Sequence, residues 1–117
     1  MEKTRSEKRK TVWLMIEKRR NLRTAEKMVE YAISCGKYSE AEIAQKKAEV
    51  AKLHREVQKD TEVLSAAIGK VTNYFDKCVL EEHYLGDELL DVIALRHSCS
   101  LTKVLRAQAR GLDQLDI

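Results

Sequence analysis

Apolar residues return every seven positions through the first third of the chain, at Met15, Leu22 and Val29, with Ala25 and Ala32 between them. That spacing gathers them on one stripe and predicts a helix over roughly residues 6–34, charged on its other faces. The pattern breaks at "SCGKYSE". There Gly36 can take the left-handed conformation that ends a helix, and Ser39 with Glu42 has the spacing of a capping box for the next one. A stricter heptad follows in Ile43, Val50, Val57, Leu64 and Val71, with Leu53 and Ala67 at the intermediate seam positions and Lys46 and Asp60 interrupting them. Two facing stripes joined by a short turn predict an antiparallel helical hairpin, a coiled-coil-like arm over residues 1–70. So thin a seam leaves apolar surface for another molecule to cover, which makes a homodimer through the arm the expected assembly.

After Gly69 the rhythm shortens, and Thr72 or Asn73 can cap a new helix. Three short helices are expected in residues 71–117, at about 73–84, 88–96 and 100–114. "LGD" (Leu85 to Asp87) and "RHSC" (Arg96 to Cys99) separate them, with Gly86 permitting the first tight turn and Ser100 capping the last helix. In the middle helix Leu89, Leu90, Ile93 and Ala94 make an apolar face, and in the last Val104, Gly111 and Leu112 turn inward.

Composition agrees with an all-α chain. There is no proline, glycine occurs four times, and Ala, Glu, Lys, Leu and Arg dominate. The three cysteines, Cys35, Cys78 and Cys99, form neither an even set nor a C-x-x-C pair, which points to a reduced, cytoplasmic protein. Near the start, Val12 to Ile16 are the only five consecutive apolar residues, too few for a signal-peptide core or a membrane span.

Charge changes the picture more. The overall +3 hides +6 in residues 1–39, balance in residues 40–70 and −3 in residues 71–117. The basic front includes Lys3, Arg5, Lys8, Arg9, Lys10, Lys18, Arg19, Arg20 and Arg23, a source of phosphate contacts or simply a solvated helix. Catalytic signatures are missing: no phosphate-binding glycine loop, no nucleophile elbow and no H-E-x-x-H. His54, His83 and His97 stand far apart, and "HSC" lacks zinc spacing, so neither a metal nor another cofactor is expected. An enzyme is not the expectation.

The stretch "DVIALRHSCSLTKVLRAQARGL" is the most informative. Lys103, Arg106 and Arg110 lie at i, i+3 and i+7, on one stripe of the last helix, with Thr102 beside them. Two packed helices joined by a turn of three or four residues, the second presenting such a stripe, have the geometry of a DNA-reading helix-turn-helix. The bland alternative is three cations gathered near a helix C-terminus, where they favour the dipole.

"HYLGDELLDVIALRHSCSLTKVLRAQARGLDQL", His83 to Leu115, resembles the promoter-reading end of bacterial sigma factors, and more closely the phage transcriptional regulators of the ArpU and RinA type. The resemblance rests on His83-Tyr84 closing the first helix, Ile93-Ala94 in the middle one, and Ser100 opening the third, followed by Val104, Arg106 and Leu112. It implies a transcriptional regulator bound to double-stranded DNA. Ser100 would open the recognition helix, Thr102, Lys103 and Arg106 would approach bases or phosphates, and Arg96 and Arg110 would hold the backbone. Three features depart from the pattern. His97 replaces an aliphatic residue and Ser98 a turn glycine. Gly111 replaces a helix former at about 1 kcal/mol relative to Ala. Asp76, Glu81, Glu82, Asp87, Glu88 and Asp91 make an acidic surface that opposes DNA affinity. Two other readings stand beside the DNA reader: a helical adaptor or inhibitor that binds a host protein such as RNA polymerase, and a small subunit of a phage DNA-packaging machine.

Overall fold

Arg5–Cys35 (α1) and Glu40–Gly69 (α2) are the two long helices that the heptads predict, and three shorter ones follow: α3 (Tyr74–Leu80), α4 (Leu90–Arg96) and α5 (Leu101–Gln114). The computed structural model describes residues 2–117, among which there is no strand. The chain is therefore all-helical, and no helix of the described residues is long and apolar enough to cross a membrane.

The helix ends follow from local chemistry. Gly36 has φ +69°, the left-handed conformation that releases the chain from α1. Ser39 Oγ then accepts from the Glu42 amide at 3.1 Å while Glu42 Oε1 accepts from the Ser39 amide at 3.4 Å, so both arms of the capping box are closed. Asn73 Oδ1 caps α3 through the Asp76 amide at 3.0 Å, and Ser100 Oγ caps α5 through the Lys103 amide at 3.1 Å.

Two compact units emerge, Met1–Trp13 with Thr61–Ile117, and Leu14–Asp60. In the second, the interruptions of the α2 heptad have partners: Lys18 Nζ meets Asp60 at 3.2 Å, and Lys46 Nζ lies 5.1 Å from the Tyr38 ring centre. Leu22 and Ala32 are buried there, whereas Ile43, Val50, Leu53 and Val57 remain half-exposed.

The first unit holds most of the core. Val79, Ile93, Ala94, Val104 and Ala107 form one buried cluster, edged by Phe75, Leu90 and Cys99. Val12, Leu64, Ile68, Leu80, Leu112 and Leu115 are buried in the same unit. Its N-terminal residues are tied to the end of α5. Arg5 Nε donates to Asp113 Oδ1 at 2.8 Å, and Lys8 Nζ donates to the Asp113 carbonyl at 2.8 Å, so cations meet the negative end of that helix.

One expectation needs correction. Leu89 is not part of the inward face of α4. It precedes the helix in extended conformation and is 66% exposed, and only Ile93 and Ala94 of the expected four are buried. Gly86 stands at a tight turn, as expected, but not by adopting the left-handed conformation. Its φ is −89°, and the left-handed residue is Asp87 at +60°. Gly86 is needed for closeness instead. After Leu80 the chain widens into a π-helical turn over Glu81–Leu85, and a Cβ on Gly86 would lie 2.7 Å from the Glu82 carbonyl oxygen.

Candidate functional site

The segment joining α4 to α5 is built from a Schellman ending. The Cys99 amide bonds the Ala94 carbonyl at 3.0 Å and the Ser98 amide bonds the Leu95 carbonyl at 3.2 Å, with Ser98 left-handed at φ +52°. Cys99 packs against the cluster that contains Ala94, the apolar contact that accompanies this motif. Ser98 thus occupies the position where glycine is the cheaper residue. Two residues later Ser100 caps α5, so the direction of the last helix is set by backbone bonds and one cap.

Seen around α5, Val104, Ala107, Gln108, Gly111 and Leu112 form the buried stripe. With 3.6 residues per turn, Thr102 and Arg106 point away from it, while Lys103 and Arg110 lie along its edge beside α3. All four are exposed. The edge positions have consequences. Lys103 Nζ lies 4.9 Å from the Phe75 ring centre, a cation–π contact. Arg110 grips the buried Asp76 with two bonds, Nε to Oδ2 at 3.1 Å and Nη2 to Oδ1 at 2.9 Å. Those bonds hold the Arg110 guanidinium above its ordinary pKa. The three cations of the expected stripe therefore divide into one outward residue, Arg106, and two that also contact α3.

Arg96 is anchored as well. Its Nη1 donates to Glu82 Oε1 at 3.0 Å and pairs with Glu88, while His97 Nε2 lies 2.8 Å from Glu82 Oε2. Burial alone would raise the Glu82 carboxyl, but the hydrogen bonds and charges of His97 and Arg96 outweigh it and hold Glu82 below its ordinary value. The His97 ring also meets Phe75 edge-on, 5.7 Å between centres. His97 thus stands at the end of α4 as a polar clasp on the π-helical turn. The other histidine of this region, His83, donates from Nδ1 to the Glu88 carbonyl at 2.7 Å.

Tyr84 is buried, and its hydroxyl accepts from Gln108 Nε2 at 2.9 Å, satisfying a buried pair that joins the π-helical turn to α5. Burial raises the Tyr84 phenol above its usual pKa.

These contacts bring Ser100, Thr102, Lys103 and Arg106 onto the first two turns of one helix, with Arg110 a turn further on and Arg96 just before the joint. Phe75, Asp76 and Glu82 are the anchors that sequence reading missed. Asp76 had a signal, a carboxylate three residues after a capping Asn, but nothing in the linear pattern paired it with Arg110. Among the described residues no group of His, Cys, Asp or Glu side chains stands close enough to hold a metal ion. No protein family, characterised protein or solved structure matches the chain.

Proposed function

We propose that α3, α4 and α5 act as a helix-turn-helix behind an antiparallel helical arm, and that the chain is a DNA-binding transcriptional regulator of the phage type it resembles, reading the major groove with α5. The observation that carries this reading is the joint between α4 and α5. A left-handed residue and a serine cap set α5 against α4 over a shared core, leaving Thr102, Lys103 and Arg106 exposed on its first turns. Arg106 is the foremost base-reading residue because its side chain points away from the core. Thr102 and Lys103 serve as phosphate or base contacts beside it. Arg96 and Arg110 contribute less directly, since a phosphate would compete with Glu82 and Glu88 for one and with Asp76 for the other. Lys3, Arg9 and Lys10, in the same compact unit as α5, supply further positive charge against the exposed acids Glu81, Asp87 and Asp91.

The test is selection of bound sequences from random duplex DNA at about 150 mM salt, where non-specific attraction is damped. An enriched motif is expected. Arg106→Ala should then weaken binding to it by about 1–3 kcal/mol and relax one position of the motif. Selection without enrichment contradicts the proposal.

One observation favours the adaptor reading as a second possibility. Leu89, just before α4, and Val92 and Leu95 on the solvent side of that helix are exposed and spaced three apart, Leu95 being 82% exposed, with Asp87, Glu88 and Asp91 close by in the sequence. An acid-rimmed apolar stripe of this kind suits a basic apolar surface on a protein such as RNA polymerase. Binding to purified polymerase that Leu95→Asp abolishes, together with no selected DNA motif, would place the function there.

A further inference from the structure

We infer that the Leu14–Asp60 unit pairs with a second copy of itself, two helical hairpins forming a four-helix bundle through the face that carries Ala25, Met28, Val29, Lys46, Glu49 and Val50. The inference is independent of what α5 binds. Those six residues line one open groove of about 230 Å³ between α1 and α2. With Lys18 meeting Asp60, the groove places residue numbers of the two helices in falling against rising order, the register of an antiparallel hairpin. Every seam position of α2 in this unit (Ile43, Lys46, Val50, Leu53, Val57 and Asp60) is half-exposed and none is buried, so two helices alone do not cover their own apolar stripe. Met28, 51% exposed, and Tyr31, 56% exposed, widen that stripe on α1 beyond a two-helix seam. A wider stripe is what a bundle of more than two helices requires.

The charges on the groove point to a second copy rather than another protein. Lys46 and Glu49 lie one turn apart on the same helix face and have opposite signs. In a two-fold interface each residue of such a pair meets its opposite in the other copy, so the face complements itself. The size is of the same order as a stable interface needs. The 21 residues from Glu40 to Asp60, at about 1.5 Å each, give roughly 30 Å of helix, and two helices about 10 Å apart make a face roughly 20 Å wide. A face of that extent approaches the roughly 800 Å² per partner of a standard stable interface.

Sedimentation equilibrium of the full chain over a micromolar concentration series tests the pairing. The expected mass is twice the 13.5 kDa of one chain. Met28→Lys, at an exposed position outside the seam, should weaken the dimer about thirtyfold or more with helicity unchanged by circular dichroism. Lys46→Glu or Glu49→Lys alone should each weaken it by roughly two- to fivefold, and the double exchange should restore it, because the complementary pairs are rebuilt across the two-fold. A monomer at high micromolar concentration overturns the inference. So does a dimer that Met28→Lys leaves intact, and so does a double exchange no tighter than the single ones.

Discussion

Replacing Gly111 by Ala sets two effects of opposite sign against each other at one atom. By helix propensity alone the change should stabilise α5 by about 1 kcal/mol, since Gly is that much worse than Ala inside a helix. The packing opposes it. A Cβ at residue 111 would stand 2.6 Å from Leu80 Cδ1 and 2.9 Å from Leu80 Cγ, and Leu80 is fully buried. Because Cγ is not the free end of the side chain, α3 and α5 must move apart or Leu80 must leave its rotamer, an overpacking cost of about 1–3 kcal/mol. The net expectation for Gly111→Ala is a loss of about 1 kcal/mol. Leu80→Ala removes the obstacle at its own cost of about 2–5 kcal/mol, and in that background Gly111→Ala should gain about 1 kcal/mol, as propensity dictates. The sign of the alanine substitution should therefore reverse between the two backgrounds, with a coupling of about 2 kcal/mol. Urea unfolding of the four proteins, followed by far-UV circular dichroism, reads it directly. An alanine that stabilises the wild-type background, or has the same effect in both, would show that the close approach of α3 and α5 is not what requires glycine.

Ser98→Gly should stabilise the protein by about 1 kcal/mol in the same assay, because Ser98 holds φ +52° without a compensating feature of its side chain; a loss of stability would argue that the turn adopts another conformation. Gly86→Ala should destabilise by about 1–3 kcal/mol, since the obstacle is the Glu82 backbone carbonyl and cannot swing aside; a neutral result would contradict the close turn. For Glu82 the folded protein holds the carboxyl below its ordinary value, so its ion pairs stabilise above the ordinary carboxylate pKa and that contribution is lost as pH falls through the lowered one. Stability measured from neutral to acid pH should thus fall more steeply in wild type than in Glu82→Gln, and parallel curves would remove Glu82 from the acid response.

Heptads and caps made the long elements legible. The repeats at Met15, Leu22 and Val29 and at Ile43, Val50 and Val57 put both long helices within a residue or two of where they lie, and Gly36, Ser39, Asn73 and Ser100 mark ends that depend only on neighbours in sequence. What escaped was every feature set by closeness in space. Gly111 reads as a weak helix former until Leu80 is found against it, and Gly86 reads as a turn glycine until the π-helical turn brings the Glu82 carbonyl beneath it. Neither helix spacing nor composition carries information about how near a neighbouring backbone comes. The docking of Arg5 and Lys8 on Asp113 belongs to the same class, a contact between residues more than a hundred positions apart.

The same distinction decides what a basic stripe is worth. Spacing at i, i+3 and i+7 placed Lys103, Arg106 and Arg110 on one side of α5, and all three are exposed there. Spacing could not tell which of them would find a partner, because the partners, Phe75 and Asp76, are on another helix. Breaking the Asp76 pair would leave a buried carboxylate without its cation, whereas Arg106 has no such tie to lose on meeting a phosphate. A cation already engaged must exchange one anion for another, so its net contribution to binding is smaller than that of a free one. The DNA reading therefore rests mainly on Arg106 and the residues of the first turn, and Arg110 serves first to fix α5 against α3. A loss of DNA affinity in Arg110→Ala that is matched by a loss of stability, and reproduced by Asp76→Asn, would follow from that order of roles. A loss confined to DNA binding would reverse it.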